Sequence, residues 1–401
     1  MSQTEVQLIK NGAVVDADIN GMSSSKLSGA LPAISGASLT NLPAGPGKAQ
    51  NLIINGAMQV AQRGTSYTGN GYGSVDRFKM ALTDADDNPT QSQADVASGT
   101  TPYSLGFRKS YKITNGNQTG GAGSNDLLAI DHKIEAQDIA NSGWNYVSSS
   151  SNITISYWVK SSVAQNFFVR LLTKDGTPTR FAFQTGSLSA NTWTKITKTI
   201  PGNSNLQFDN DNGSGLEFRF YLFAGTDRTD NSVSLDAWAT HSSTANTPDQ
   251  TSTFYTTNDA TFEITGVQLE VGDSATDFEH KTFGEELALC QRYCQKNIAT
   301  LAVAASSVNM NMRTALFSEM RASPTVSKIA ADGSSNLTYI FGDMISVSDN
   351  STSTPSITSY SGNQLSVPMQ LGGFDNLTQY RVYRHEPQAN LQAIFLFSAE
   401  L

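Results

Sequence analysis

The chain has 401 residues, only 15% of them charged, and a formal net charge of −9. That length allows two or three domains, each able to bury a sizeable core. The acidic balance, without any cluster of Lys and Arg, argues against nucleic acid as the main partner, and the opening MSQTEVQLIKNGAVV lacks the apolar run of a signal peptide or membrane span. Many Gly, Ser, Thr and Asn residues among β-branched ones favour an all-β protein.

Residues 1–48 differ from the rest. KLSGALPAISGASLTNLPAGPG spaces Leu27, Leu31, Ile34, Leu39 and Leu42 among small residues, with no charge between Lys26 and Lys48. Such a segment cannot bury its apolar side chains within itself. It is either a disordered linker or an extended shaft that packs against copies of itself. Pro43, Gly45, Pro46 and Gly47 end it in a hinge.

Residues 49–280 read as one jelly-roll-like β-sandwich. The apolar run Leu52-Ile53-Ile54 before the turn pair Asn55-Gly56 is the first candidate strand. Further strands are expected at 75–82, 107–113, 127–134, 153–159, 167–172, 179–184, 193–200, 216–223 and 262–271. The stretch 216–223 alternates Leu216, Phe218, Phe220 and Leu222 with Glu217, Arg219 and Tyr221, as a two-faced strand does. In 262–271 the same alternation is interrupted by Gly266, which marks a bulge or a close backbone approach. Long polar joints at 83–102, 115–124 and 227–258 are where binding residues are expected on such a scaffold. From Phe283 the spacing becomes helical, and 281–296 is expected to be a connecting helix with Cys290 and Cys294 on one face. These two read as small buried apolar residues rather than as a disulfide or a metal site. Residues 297–401 form a smaller C-terminal β-sandwich, with strands at 298–305, 316–320, 325–329, 337–341, 364–369, 380–384 and 391–397. The last run, LQAIFLFSAEL, is apolar on both faces and suits a central strand.

Three stretches carry a family resemblance. GVQLEVGDSATDFEHKTFGEELALCQRYCQK, the opening NLIINGAMQVAQRGTS followed by GSVDRF, and the closing MRASPTV and FLFSAEL resemble segments of fibre and appendage proteins of tailed bacteriophages, marine and cyanobacterial phages especially. The resemblance implies a virion protein: a homotrimer whose first 48 residues form the shaft and attach to other virion proteins. Its sandwich would resemble a carbohydrate-binding module and engage a host-surface glycan or protein. A capsid-bound decoration with a purely structural role is the alternative, and a glycan depolymerase a further one.

The sequence offers little catalytic chemistry. It contains neither a Gly-x-Ser-x-Gly elbow nor a His-Glu-x-x-His helix, and a non-enzymatic protein without cofactors is expected. The carboxylates at Asp84, Asp86 and Asp87 sit in turn-like sequence. Asp209 and Asp211 in DNDNGSG resemble the start of a calcium loop, but Ser214 and Phe220 stand where such a loop needs Gly and Glu. A tight Asn-Gly hairpin explains the same residues. Aromatic rings in loops can stack on the apolar face of a sugar, which makes Tyr67, Tyr72, Trp144 and Tyr146 candidates, against the alternative that they cover the sandwich edge. Trp158 and Trp193 are expected in the core. Arg63 and the pair Asp76-Arg77 are expected to form an Arg–carboxylate clamp on the first strands.

Overall fold

The computed structural model describes residues 51–297, 301–330, 339–343, 349–352, 356–359, 366–374, 377–385 and 393–401. They belong to one compact unit, Pro46–Leu401. The leader at 1–48 lies outside the described residues, as do parts of the strands expected at 298–305, 337–341, 364–369 and 391–397.

Among the described residues twelve strands precede the connecting helix: β1 (Ser66–Thr68), β2 (Lys79–Thr83), β3 (Thr90–Asp95), β4 (Lys109–Thr114), β5 (Leu127–Glu135), β6 (Asn152–Ser161), β7 (Asn166–Thr173), β8 (Thr179–Ser187), β9 (Thr194–Pro201), β10 (Ser214–Ala224), β11 (Trp238–Thr240) and β12 (Thr261–Val271). They form two antiparallel sheets, ordered β1-β3-β4-β12-β6-β9 and β11-β8-β7-β10-β5-β2. The chain crosses repeatedly between them, as in a jelly roll. Alternation drives the packing. Phe218, Phe220 and Leu222 of β10 and Ile264 and Leu269 of β12 enter one core with Tyr157, Val169 and Phe181.

β12 pairs with both β4 and β6, and its register with β6 shifts between Thr265 and Gln268. Gly266 sits in this bulge at φ 62, where a Cβ would lie 2.6 Å from the Phe107 ring. Next to it, Val267 donates its N–H to the Gly56 carbonyl at 3.0 Å. A Cβ on Gly56 would meet the Val267 oxygen at 2.1 Å. Residues 52–54 are therefore not the strand expected from their apolar run. They enter a turn in which Asn55 takes φ 62.

Among the described residues of the C-terminal part ten strands follow: β13 (Cys294–Asn297), β14 (Leu301–Ala304), β15 (Asn309–Ala315), β16 (Thr325–Ala330), β17 (Tyr339–Asp343), β18 (Asp349–Thr352), β19 (Ser356–Ser359), β20 (Ser366–Gly372), β21 (Val382–His385) and β22 (Ala393–Ser398). They make a three-stranded sheet, β13-β22-β16, and a seven-stranded one, β18-β17-β21-β14-β15-β20-β19. Phe395 and Phe397 of β22 are fully buried with Met310, Met369 and Leu371 of the larger sheet. β22 is thus the central strand that its apolar run predicts. Residues 316–320, expected as a strand, lie between β15 and β16.

The connecting helix spans Phe283–Gln291 and starts in a capping box, with Thr282 and Glu285 bonding each other's backbone. It stops earlier than its sequence pattern predicts. Cys290 lies on the helix, but Cys294 opens β13, where it pairs with Ser398. Both thiols are buried and free.

The C-terminus docks onto the sandwich. Arg63 lies 3.7 Å from Asp76, and the clamp has a second acid, Glu400, which Arg63 meets at 3.1 Å and Arg77 at closer range. Arg77 also lies 3.5 Å above the Tyr293 ring and donates to the Lys133 carbonyl at 2.6 Å. Burial pushes the Asp76 carboxyl up to about 6, against the pull of Arg63 and the Gln62 amide. At the end of β5, Glu135 accepts two bonds from Arg292, at 2.7 and 2.8 Å, and one from the Tyr293 hydroxyl at 2.6 Å.

On the outer face of the second sheet, Glu217 is 3% exposed and shared by Arg170 and by Lys174, the latter at 3.2 Å. Burial alone would raise its pKa, but Arg170, Arg219, Lys174 and Lys133 outweigh burial and bring it from 4.5 down to about 2. A lowered carboxylate contributes stability that is complete above its unfolded pKa and lost as pH falls through the folded one. The gap in unfolding midpoint between the wild-type chain and Glu217→Gln is therefore expected to be widest above about pH 5 and to close towards pH 2. A thermal melt series across that range checks it; a gap independent of pH contradicts it.

Candidate functional site

The sequence candidates are not brought together. Tyr67 is 48% exposed on β1, an edge strand. Tyr72 serves the clamp: its hydroxyl donates to the Leu401 carbonyl at 3.3 Å, and Arg63 lies 5.5 Å from its ring centroid. Trp144 is 3% exposed and belongs to the core, so its faces are closed to a sugar. Tyr146 is half-buried and meets Phe208 edge-on at 5.0 Å. Asp211 accepts the Gly213 N–H at 2.8 Å, an Asx turn leading into β10, and Asp209 accepts from Gln207 at 3.2 Å. Among the described residues no three His, Cys, Asp or Glu side chains group as metal ligands would.

Trp144 and Tyr146 instead support a cleft from behind. After β9 the chain runs through residues 202–208. The Gly202 N–H donates to Ser151 and the Asn203 N–H to Tyr146, both at 2.8 Å. Asn203 Oδ1 accepts the Asn205 N–H at 2.9 Å. Leu206 and Phe208 turn inward to the core while Asn205 and Gln207 stay exposed, the period-two alternation of an extended chain. Phe208 rests on both Trp144 and Tyr146. The rings chosen from sequence thus fix the segment that presents the amides.

Across from these amides stands Trp238 on β11, the edge strand beside β8. Its ring packs on Phe181 at 5.3 Å, and its Nε1 donates to the Pro201 carbonyl at 2.6 Å. The indole is held from both ends. A cleft of about 290 Å³ lies between, lined by Trp238, Asn203, Asn205, Gln207 and the threonines 177, 179 and 240, with Ala239. An aromatic platform flanked by amides and hydroxyls matches a sugar, whose ring offers an apolar face and a rim of hydroxyls. The described lining carries no carboxylate.

Sequence reading passed over Trp238. The signal available was a lone Trp within the polar joint 227–258, the kind of loop where binding residues are expected. Its amide partners lie some thirty residues upstream and are joined to it only by the fold.

A second cleft, of about 240 Å³, opens on the outer face of the first sheet. Trp158 and Trp193 pack there, half-buried, beside Phe107 and Phe278, outside the inter-sheet core in which they were expected. In this cleft Phe107, Phe278 and His280 lie within 5.1 Å of one another. Phe278 meets both Phe107 and His280 edge-on, and Trp158 also lines the cleft.

No protein family's sequence profile matches the chain, and no curated protein matches it. Solved structures match at low identity. The enzymatically active domain of tailspike protein 4 from bacteriophage CBA120 aligns at 11% identity and a TM-score of 0.30, over 55% of this chain and 21% of that one. A family 11 carbohydrate-binding module of a Clostridium thermocellum cellulosomal cellulase aligns at 11% identity and TM-score 0.25, over 54% of this chain and 98% of that one. The N-terminal CBM22-1–CBM22-2 tandem domain of Paenibacillus barcinonensis Xyn10C aligns at 8% identity and TM-score 0.24, over 90% of this chain and all of that one. At scores of this size the likenesses bear on neither ligand nor mechanism.

Proposed function

We propose that the chain is a non-catalytic glycan-binding protein of a tailed-phage appendage, which attaches the virion to a host surface through the Trp238 cleft. The observation that carries the glycan reading is the clamped indole facing three amide side chains across a cleft of sugar size. The virion setting is supported by the resemblance of the three sequence stretches to phage fibre proteins. Self-association into a trimer through residues 1–48 belongs to the same reading. A single such cleft binds weakly, and several on one appendage gain avidity by copy number.

Binding of the full chain to a panel of immobilised host-type polysaccharides tests the reading. Trp238→Ala is expected to weaken binding by about 2 kcal/mol, roughly 30-fold, as loss of a central aromatic anchor does. Because Trp238 also packs on Phe181, Asn205→Ala and Gln207→Ala serve as variants with exposed side chains that leave the core intact. Each is expected to weaken binding with the melting temperature unchanged. Binding unaltered in all three would overturn the assignment, and shortened polysaccharide after incubation would overturn the non-catalytic part.

A further inference from the structure

Charge on the outer face of the second sheet does not balance. Register sets Arg180 of β8 opposite Leu172 of β7 and Ala239 of β11, while Arg170 of β7 faces Ala182 of β8 and Arg219 of β10. The two arginines are diagonal neighbours on one face. His241 follows β11, its N–H donated to the Pro178 carbonyl at 2.9 Å. The joint after β10 covers this face: Asn246, Thr247 and Thr229 are buried, and Asn246 Oδ1 accepts from Arg170.

The acids present are already engaged or in solvent: Asp230, whose charge also acts on Arg180, is exposed and accepts the Ser232 N–H at 2.7 Å. Asp131 takes both contacts of Arg219, at 2.6 and 2.7 Å. Glu217 is shared by Arg170 and Lys174. Arg180 is 7% exposed, yet among the described residues its Nε and Nη1 have no acceptor. Arg170 Nε, the Tyr221 hydroxyl and His241 Nδ1 are likewise buried and unpartnered. The guanidinium nitrogens can only donate, and the phenol and imidazole can donate as well. Buried donors without an acceptor are costly, and here they gather where cations outnumber acids in a chain of net charge −9. The potential is felt by His241, whose pKa burial, Arg170, Lys174 and Arg180 push down to about 4.

We infer that this face holds a small anion between Arg180, Arg170, Tyr221 and His241, beneath the joint that follows β10. The ligand chemistry is a compact single negative charge able to accept several donors. A free halide supplies it, and so does the carboxylate of an acidic sugar. Arg180 is paired with Ala239, whose neighbours Trp238 and Thr240 line the glycan cleft, so the two sites lie on either side of one edge strand. The inference stands on the orphaned donors and does not require the glycan reading.

Thermal unfolding of the full chain at constant ionic strength tests it, with a bulky sulfonate replaced by chloride, bromide or glucuronate. The wild-type midpoint is expected to rise by about 3–8 °C at about a hundredfold excess over Kd, and Arg180→Met to show no such rise. A rise with chloride and bromide assigns a free anion; a rise with glucuronate alone assigns the sugar carboxylate. Should Arg180→Met fail to fold, anomalous scattering from wild-type crystals soaked in bromide or an iodinated benzoate decides, with a peak expected against Arg180 Nη1. A wild-type midpoint blind to anion identity, with water alone beside Arg180 in the crystal, overturns the inference.

Discussion

Replacing Glu400 with Ala lowers the stability of the fold by about 3–5 kcal/mol, the cost of removing one partner from a buried ion pair. Arg63, Arg77 and Glu400 have side chains 6%, 1% and 6% exposed. Asp76 remains to Arg63 in the variant, at 3.7 Å, but among the described residues Arg77 keeps the Lys133 carbonyl and the Tyr293 ring. Domains of ordinary stability have 5–15 kcal/mol in total, so the loss is a large fraction. Equilibrium denaturation with urea measures it as a fall in midpoint at constant slope. Glu400→Gln keeps acceptor and shape and is expected to lose less. A change below about 1 kcal/mol in Glu400→Ala would mean that water reaches the clamp and screens it. Removing the last ten residues is harsher still, because it takes β22 out of the middle of its sheet together with Phe395 and Phe397. The C-terminal domain is then expected to lose its cooperative unfolding transition.

The second large effect is expected at Gly266. Alanine there must hold a left-handed backbone, at about 1–2 kcal/mol, and its Cβ would press on the Phe107 ring from 2.6 Å. Overpacking of this kind adds about 1–3 kcal/mol. A total of about 2–5 kcal/mol is expected from the same denaturation experiment. Gly186→Ala is the matched control: its backbone lies in the same left-handed region, at φ 74, but nothing lies within 4 Å of its Cβ. If the two variants lose equal stability, backbone strain alone accounts for Gly266 and the contact with Phe107 is unimportant.

What the sequence made legible follows from local rules. The alternation in β10, the interrupted alternation at Gly266 in β12 and the doubly apolar run of β22 each encode a local period, and each became the expected element. β3 was invisible for the converse reason. Its sequence TQSQAD buries only Gln91, which accepts the Tyr111 hydroxyl at 2.9 Å and donates to Gly69 and Gly71. A strand held by a polar side chain leaves no apolar period to read. The helix was overextended because Tyr293 and Cys294 continue its apolar spacing, while β22, a hundred residues on, claims Cys294 for a sheet. The Arg clamp was half legible: Asp76 lies beside Arg77 in sequence, whereas Glu400 is 323 residues away. The candidate site divides in the same way. Loop aromatics could be enumerated, but which of them keeps an open face depends on burial. Trp144 is buried in the core, whereas Trp238, on the edge strand β11, is half-buried and lines the cleft.

The most direct test is a crystal structure of the full chain with a bound oligosaccharide from the polysaccharide that it retains best. A pyranose ring is expected to lie along the Trp238 indole, its hydroxyls bonded to Asn203, Asn205 and Gln207. A sugar seated elsewhere on the sandwich, with the Trp238 cleft filled by water alone, would contradict the account.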